Sequence, residues 1–414
     1  AGPVFCIGFK CMVAERPDAE IWVMCDQRVG RHFCYLRKIN ECSKQKRKQE
    51  NDFFHVRGLL PNLKLSLELE FFYYFSIAMK SIVCIRPGTF QAEEREHPKV
   101  IPGFSIVKIR QIGICGTDLN AFKGVQPYFS YPRVLGHELA AEYVEGDAPG
   151  FSKGDLLTII PYKYCGNCFA CRQDKTNCCV SLSVLGVHED GGMSEYFSVP
   201  DHLLIKTAGL TLDQTAMVEP FAIGAHAAQR AGIQAHDHVL VMGAGPIGIG
   251  LLHSLSLMHI KTIVAETIPF RADYCRKYIQ HVHCIDPANE NVEHSLLEHT
   301  NGNMPSIIFD ATGNLSAIHQ SLPYLSHAGK YILVGLQQAD ILVNHPQFHK
   351  REATLMSSRN ATKADFEHVI DSFRKQSIDL SHMITHRMNL GNVPEDFPKL
   401  FSSKNNLIKA VIYC

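Results

Sequence analysis

Net charge is what this sequence lacks: Lys plus Arg and Asp plus Glu balance at 41 each over 414 residues. Without a basic surplus there is no electrostatic footprint for nucleic acid and no polybasic face for an anionic membrane, so neither is expected as a partner. Long apolar runs are missing as well. The longest, "FFYYFSIAMKSIVCI" from Phe71, is broken by Lys80 and falls short of the roughly 20 apolar residues that a membrane-spanning helix requires; it reads as a pair of buried strands. There is no internal repeat and no low-complexity tract. The start of the chain does not show the basic, apolar and small-residue order of a signal peptide. What is present is enough apolar material, 46% of residues, for two domains with proper cores. The 15 cysteines are odd in number and unevenly spread, which fits a reducing, cytoplasmic compartment and metal ligation better than a disulfide framework.

Residues 1–78 differ in texture from the rest. They carry five scattered cysteines (Cys6, Cys11, Cys25, Cys34, Cys42), a basic run "KQKRKQE" at 44–50 and no clear period. None of these cysteines has Cys-x-x-Cys spacing, so no metal site is expected there, and the segment reads as a poorly ordered extension of unknown role. From Met79 the pattern sharpens into short strands, "KSIVCI" and "FSIVKIRQIGICG", punctuated by Pro and Gly. Residues 211–231 turn helical. From His238 strands alternate with helices ("HVLVMGAG", "KTIVAE", "HCID", "SIIFDATGN", "KYILVGL"), which implies βαβ units, a parallel sheet and an α/β fold.

The stretch "CGNCFACRQDKTNCC" places Cys165, Cys168, Cys171 and Cys179 at Cys-x2-Cys-x2-Cys-x7-Cys, with Gly166 permitting a tight turn and Cys178 left over. Four thiolates converging from one short loop match the tetrahedral, all-sulfur preference of structural zinc. An iron–sulfur cluster is the alternative; three stacked cysteine pairs argue against a thioredoxin-like redox site. Zinc held by four cysteines has no open position, so any reactive centre lies elsewhere.

A second constellation is spread along the chain. "GICGTD" carries Cys115, Thr117 and Asp118, "VLGHEL" carries His137 and Glu138, and "AMVEPF" carries Glu219 ahead of a proline. Each has a plain structural reading: a small core thiol, a satisfied loop histidine, a helix-start acid. Together, Cys115, His137 and a carboxylate, Glu138 or Glu219, give zinc a mixed ligand set with one open position, as catalytic zinc requires. Asp118 is placed to accept a hydrogen bond that orients a ligand, and Thr117 to take a proton.

"VLVMGAGPIGIG" supplies Gly243, Gly245 and Gly248 as G-x-G-x-x-G between a strand and a helix. These glycines allow the tight turn, the close approach of backbone to a pyrophosphate and close helix packing. Glu266 ends the next strand, near the expected spacing for an acid on the ribose hydroxyls. An acid there repels a 2'-phosphate, so NAD is favoured; Arg271, a few residues on, keeps NADP as the alternative.

Taken in order, "GICGTD", "GHE", the four-cysteine loop, "VEPF" and "GAGPIG" resemble the zinc-dependent medium-chain dehydrogenases, in their sorbitol and threonine dehydrogenase branch. The resemblance covers Met79 to Cys414. It implies a GroES-like β-barrel catalytic domain (79–221 and 343–414) interrupted by a Rossmann, doubly wound parallel-sheet domain (222–342). It also implies two zinc ions per chain, a small polyol or sugar-acid substrate, and a homodimer or homotetramer. Three stretches, "QPYFSYPRVLGHE", "TNCCVSLSVLGVHEDGGMSEYFSVP" and "FHKREATLMSSRNATKADF", look most like members that oxidise an aldonate such as L-galactonate at C5. L-Idonate, L-gulonate and sorbitol-like polyols are the alternative substrates. Arg359 and Asn360 match positions that approach substrate and nicotinamide in the branch, and a guanidinium there can pair with a carboxylate; the plain reading is an ion pair with Glu352 or Asp365. Zinc at the mixed site would lower the pKa of a secondary alcohol whose proton Thr117 accepts and whose hydride passes to NAD. Two departures stand out: Asn120 replaces a frequent relay histidine, and Ala141 replaces a glycine, which would crowd the loop behind the zinc. The loss of that histidine leaves one rival outside the enzymes, a nucleotide-binding relic of the fold.

Overall fold

The computed structural model describes residues 78–414, apart from Tyr128, Ser377 and Asp379, together with four strands among residues 3–36. Those strands, Pro3–Cys6, Phe9–Glu15, Ile21–Asp26 and Arg31–Leu36, pair antiparallel in chain order within a unit spanning 1–72. This sheet departs from the expected unstructured extension. Its segments lack strict alternation but are rich in the aromatic and β-branched residues that suit strands. The side chains of the five N-terminal cysteines, the basic run 44–50 and the apolar stretch before residue 78 lie outside the described residues.

The second unit, 73–414, is organised about one strand, Phe104–Ile114. Eight of its 11 residues are apolar or small, and both flanks are covered. Glu138–Glu145 pairs with it on one side; on the other, Tyr196–Pro200 takes its first half and the C-terminal strand Lys409–Tyr413 its second. Leu156–Ile159, Leu204–Lys206 and Ile384–Asn389 complete the seven-stranded sheet. A three-stranded sheet contains Met79–Arg86, whose Ile82, Val83 and Cys84 are buried. Its hairpin partner is the downstream strand Thr89–Arg95. Ala141 lies within the strand Glu138–Glu145, fully buried opposite Ile109 and Leu157; it belongs to the sheet's core and crowds no loop.

A six-stranded parallel sheet runs in the order Val282–Ile285, Thr262–Ala265, Val239–Met242, Ile307–Asp310, Lys330–Leu333, Thr354–Ser357. In sequence terms this is 3-2-1-4-5-6, the doubly wound Rossmann order. Its last strand falls beyond residue 342, where the sequence reading ends that domain.

One helix, Leu212–Ala231, packs against the strand Glu138–Glu145 and against the helices Pro246–Leu257 and Lys363–Gln376. Thr211 and Gln214 form a reciprocal capping box at its start, and Gly232 ends it in the left-handed conformation with φ 61°. Gly224 lets the neighbouring helix approach closely, since a Cβ there would lie 2.4 Å from the Leu251 backbone nitrogen. Pro220 sits inside this helix. A proline usually marks a helix start, which is why Glu219 reads as a helix-start acid in the sequence; it is in fact a buried mid-helix residue.

Candidate active site

Chain pairing builds the first cluster. Gly113 lies opposite Glu138 and Ile114 opposite Ala410, so the strand that leads into Cys115 runs between Glu138 and Lys409. Gly113 has no side chain because Glu138 needs the space: a Cβ there would lie 2.0 Å from Glu138 Oε2. Cys115, His137 and Glu138 each offer a ligand atom, all within 4.8 Å of one another. Asp118 is fully buried and accepts hydrogen bonds from the Cys115 backbone N–H at 2.8 Å and the Gly136 N–H at 3.4 Å. It thereby fixes the backbone of Cys115 and of Gly136, the residue before His137, while its carboxylate stands 3.7 Å from His137 Nδ1. Thr117 lies in the first turn of the helix Gly116–Lys123.

The chemistry of the set fits a divalent cation. Burial lowers the basicity of His137, yet the negative charges of Asp118, Cys115 and Glu219 outweigh it and hold the imidazole well above its ordinary value. Burial raises the Glu219 carboxyl to about 7, with His137 opposing and the charge of Glu138 adding to the rise. The pocket thus gathers negative charge in a dry environment, which a dication would neutralise. Glu219 is not one of the three converging donors; its carboxylate accepts a hydrogen bond from the buried Tyr162 hydroxyl.

Two partners in this cluster escape a reading of the sequence. Lys409, with a fully buried side chain, forms an ion pair with Glu138. Its only signal is a lone lysine inside the apolar run "LIKAVIY". Tyr162, on the short strand Tyr162–Lys163, gives no signal at all.

The four-cysteine lobe is built from two single-turn helices, Cys171–Gln173 and Thr176–Cys178. The sulfurs of Cys165, Cys168, Cys171 and Cys179 lie within 4.8 Å of one another, and Cys178 stays exposed. Backbone N–H groups point at the sulfurs: Cys165 to Cys179 at 3.3 Å, Ser181 to Cys179 at 3.4 Å and Cys171 to Cys168 at 3.5 Å. The N–H groups of Cys171 and Val180 hold the Cys168 thiol down at about 6, whereas burial and the neighbouring sulfurs push Cys171 up to about 12. Sulfurs that resist ionising together suit a shared dication.

At the glycine-rich turn, Gly243 adopts φ 92°, and Gly245 precedes the helix Pro246–Leu257. A Cβ on Gly248 would lie 2.1 Å from the Gly243 carbonyl. Gly248→Ala is therefore expected to cost about 1–3 kcal/mol through overpacking; thermal unfolding measures it, and an unchanged Tm would contradict the close packing. Glu266 accepts from the N–H groups of Ala244 and Ile268, both at 2.7 Å, so it braces the same turn. Arg271 donates through Nε and Nη2 to the Leu407 carbonyl at 3.1 and 2.9 Å.

Arg359 follows the strand Thr354–Ser357 with its side chain exposed, and Asn360 is left-handed at φ 53° with a buried Nδ2 that has no partner. Neither expected acid reaches Arg359: Asp365 binds His226 and Thr362, and no ion pair to Arg359 forms among the described residues.

Comparison with known proteins agrees with this architecture. Residues 102–209 match the alcohol dehydrogenase GroES-like domain and residues 246–375 the zinc-binding dehydrogenase domain. The chain is 38% identical over 338 residues to L-galactonate-5-dehydrogenase of Escherichia coli K12, covering 81% of this chain and 98% of that one. Sorbitol dehydrogenase of Halalkalibacterium halodurans is 29% identical over 323 residues, with 75% and 93% covered. The solved structure of the rspB alcohol dehydrogenase from E. coli CFT073, complexed with NADH, superposes with a TM-score of 0.74 at 29% identity, over 81% of this chain and 99% of that one. Likeness of that extent, running through both sheets and nearly the full length of the relatives, makes this protein a member of the zinc-dependent medium-chain alcohol dehydrogenases, oxidoreductases that act on the CH–OH group of their donors.

Proposed function

We propose that this dehydrogenase oxidises a secondary alcohol of a sugar acid, an L-galactonate-like aldonate at C5, with NAD as the acceptor. The observation that carries the reading is Arg359, an exposed guanidinium that forms no ion pair among the described residues. Burial lowers the basicity of His188, and the charges of Arg359 and Arg133 lower it further against the opposing charge of Glu189. The loop that carries His188 lies against the segment that leads into His137: Gly191 N–H donates to the Val134 carbonyl at 2.8 Å and Gly192 N–H to the Gly136 carbonyl at 2.9 Å. A carboxylate entering there finds Arg359 unpaired among the described residues, whereas Arg133 already stands 3.6 Å from Asp190. The likeness to a relative named for L-galactonate supports the same class.

In this reading Cys115, His137 and Glu138 hold one zinc, with Glu219 behind them, and Cys165, Cys168, Cys171 and Cys179 hold the second. Zinc at the first site supplies the Lewis acidity that lowers the alcohol's pKa, and the nicotinamide takes up the hydride. Asp118 keeps Cys115 in place through its backbone N–H and holds the backbone of Gly136, the residue before His137. Thr117 takes the alcohol proton. Asn120 is exposed and its amide cannot accept a proton at neutral pH, so water receives it from Thr117. The turn at Gly243, Gly245 and Gly248 would seat the pyrophosphate, and Glu266, which braces that turn, would favour ribose hydroxyls over a 2'-phosphate through its charge. Arg271 is spent on the Leu407 carbonyl, which favours NAD over NADP.

The test is NADH formation by the zinc-loaded enzyme with L-galactonate, L-idonate, L-gulonate and sorbitol in parallel, repeated with Arg359→Ala. The variant is expected to lose about a hundredfold in kcat/KM for the preferred aldonate and little for sorbitol, as befits a charge-assisted pair. Equal losses on acid and polyol would overturn the carboxylate reading and leave a polyol dehydrogenase.

A further inference from the structure

We propose that Asn177, a residue of the four-cysteine lobe, is a positioning residue for Arg359, held in its working orientation by His226 and Asp365. The inference rests on the reading of Arg359 as the cation that binds the substrate's carboxylate. Asn177 lies in the turn Thr176–Cys178 and is only 3% exposed. Its Nδ2 donates to the Arg359 carbonyl at 2.9 Å and meets His226 Nε2 at 3.1 Å. His226 is carried by the buried helix Leu212–Ala231, and its Nδ1 faces Asp365 Oδ2 at 2.9 Å.

The proton pattern along this chain has one solution. An ionised carboxylate only accepts hydrogen bonds, so His226 Nδ1 carries the proton and Nε2 is left as an acceptor. Asn177 must then present its NH2, since the reversed amide would set an oxygen against two acceptors. Burial raises the Asp365 carboxyl, but the hydrogen bonds from His226 and Thr362 outweigh it and keep the group below its ordinary range. Thr362 fixes it through its N–H at 2.7 Å and its hydroxyl at 2.6 Å, ahead of the helix Lys363–Gln376.

The run therefore extends from Thr362 through carboxylate, imidazole and amide to the main chain of Arg359. Just beyond that carbonyl, Asn360 holds a left-handed conformation at φ 53°, which asparagine adopts more readily than most residues. The bond from Asn177 pins the carbonyl just before it, so the Arg359 side chain starts from a fixed backbone point. The four-cysteine lobe then acts on substrate affinity as well as on stability.

The test uses the full-length, zinc-loaded enzyme with L-galactonate and NAD. Asn177→Asp keeps the shape of the side chain but loses the donors. It is expected to raise KM for the aldonate about tenfold, while kcat and KM for NAD stay within about twofold. Zinc content stays at two per chain. In an Arg359→Ala background the same change should move the aldonate KM by less than about twofold, because nothing remains to be positioned. His226→Leu, which touches no cysteine, should raise the aldonate KM in the same sense, and it decides the matter if Asn177→Asp loses zinc.

An equal rise in both backgrounds, or a parallel loss in kcat and both KM values, would mean a structural role only and overturn the proposal. If Arg359→Ala by itself leaves the aldonate KM unchanged, the reading of Arg359 falls first and this inference with it.

Discussion

Cys115→Ser is expected to abolish turnover, by about a thousandfold or more, while the fold and the four-cysteine lobe persist. Cys115 stands at the end of the central strand, where Asp118 holds its backbone N–H, and its sulfur converges with His137 and Glu138. A serine hydroxyl is close in size but far less readily ionised than a thiol, so the set loses its strongest donor. Metal content should drop from two zinc ions per chain to one, with circular dichroism and the melting of the lobe unchanged. An enzyme that keeps both metals and its rate after this substitution would remove the zinc assignment and return Cys115 to the core.

Lys409→Met should lower stability by about 3–5 kcal/mol in the metal-free protein, since it leaves the buried Glu138 carboxylate without its counter-charge. The two side chains are 0% and 1% exposed, so water cannot replace the ammonium. Added zinc should recover more of the Tm in the variant than in the parent protein, because the ion then becomes the main counter-charge of Glu138. That comparison also separates the two candidate carboxylates: a zinc-dependent recovery ties the metal to Glu138, and recovery equal to that of the parent points to Glu219. A variant as stable as the parent without metal would contradict the buried pair.

The features legible in the sequence are those whose chemistry is local. The spacing of Cys165, Cys168, Cys171 and Cys179 lies within one short loop, and the turn at Gly243, Gly245 and Gly248 lies between one strand and one helix. In both, chain geometry alone brings the groups together. Cys115, His137 and Glu138 are legible only as an ordered set of separate motifs, since their meeting depends on the pairing of Gly113 with Glu138.

What escaped depends on distant segments. Lys409 reaches Glu138 because the C-terminal strand pairs with Phe104–Ile114, and no local pattern announces that register. Asn177 reaches Arg359 across 182 residues of chain. Glu219 reads as a helix start because Pro220 carries that meaning in most helices. Here tertiary packing of a long buried helix overrides the proline. The strand Thr354–Ser357 is short and mostly exposed, so its place at the edge of the parallel sheet is set by its neighbour and not by its own pattern.

The helix Leu212–Ala231 carries Glu219 toward the first cluster and, five residues on, Gly224 against the nucleotide-side helix Pro246–Leu257. At 1.5 Å per residue those two points stand about 7.5 Å apart along one rod. The metal chemistry and the dinucleotide seat therefore share a common gauge, cut in a single piece of secondary structure. Any relative movement of those two points must bend this helix, so the spacing between Glu219 and the Gly224 contact is inherited from helix pitch.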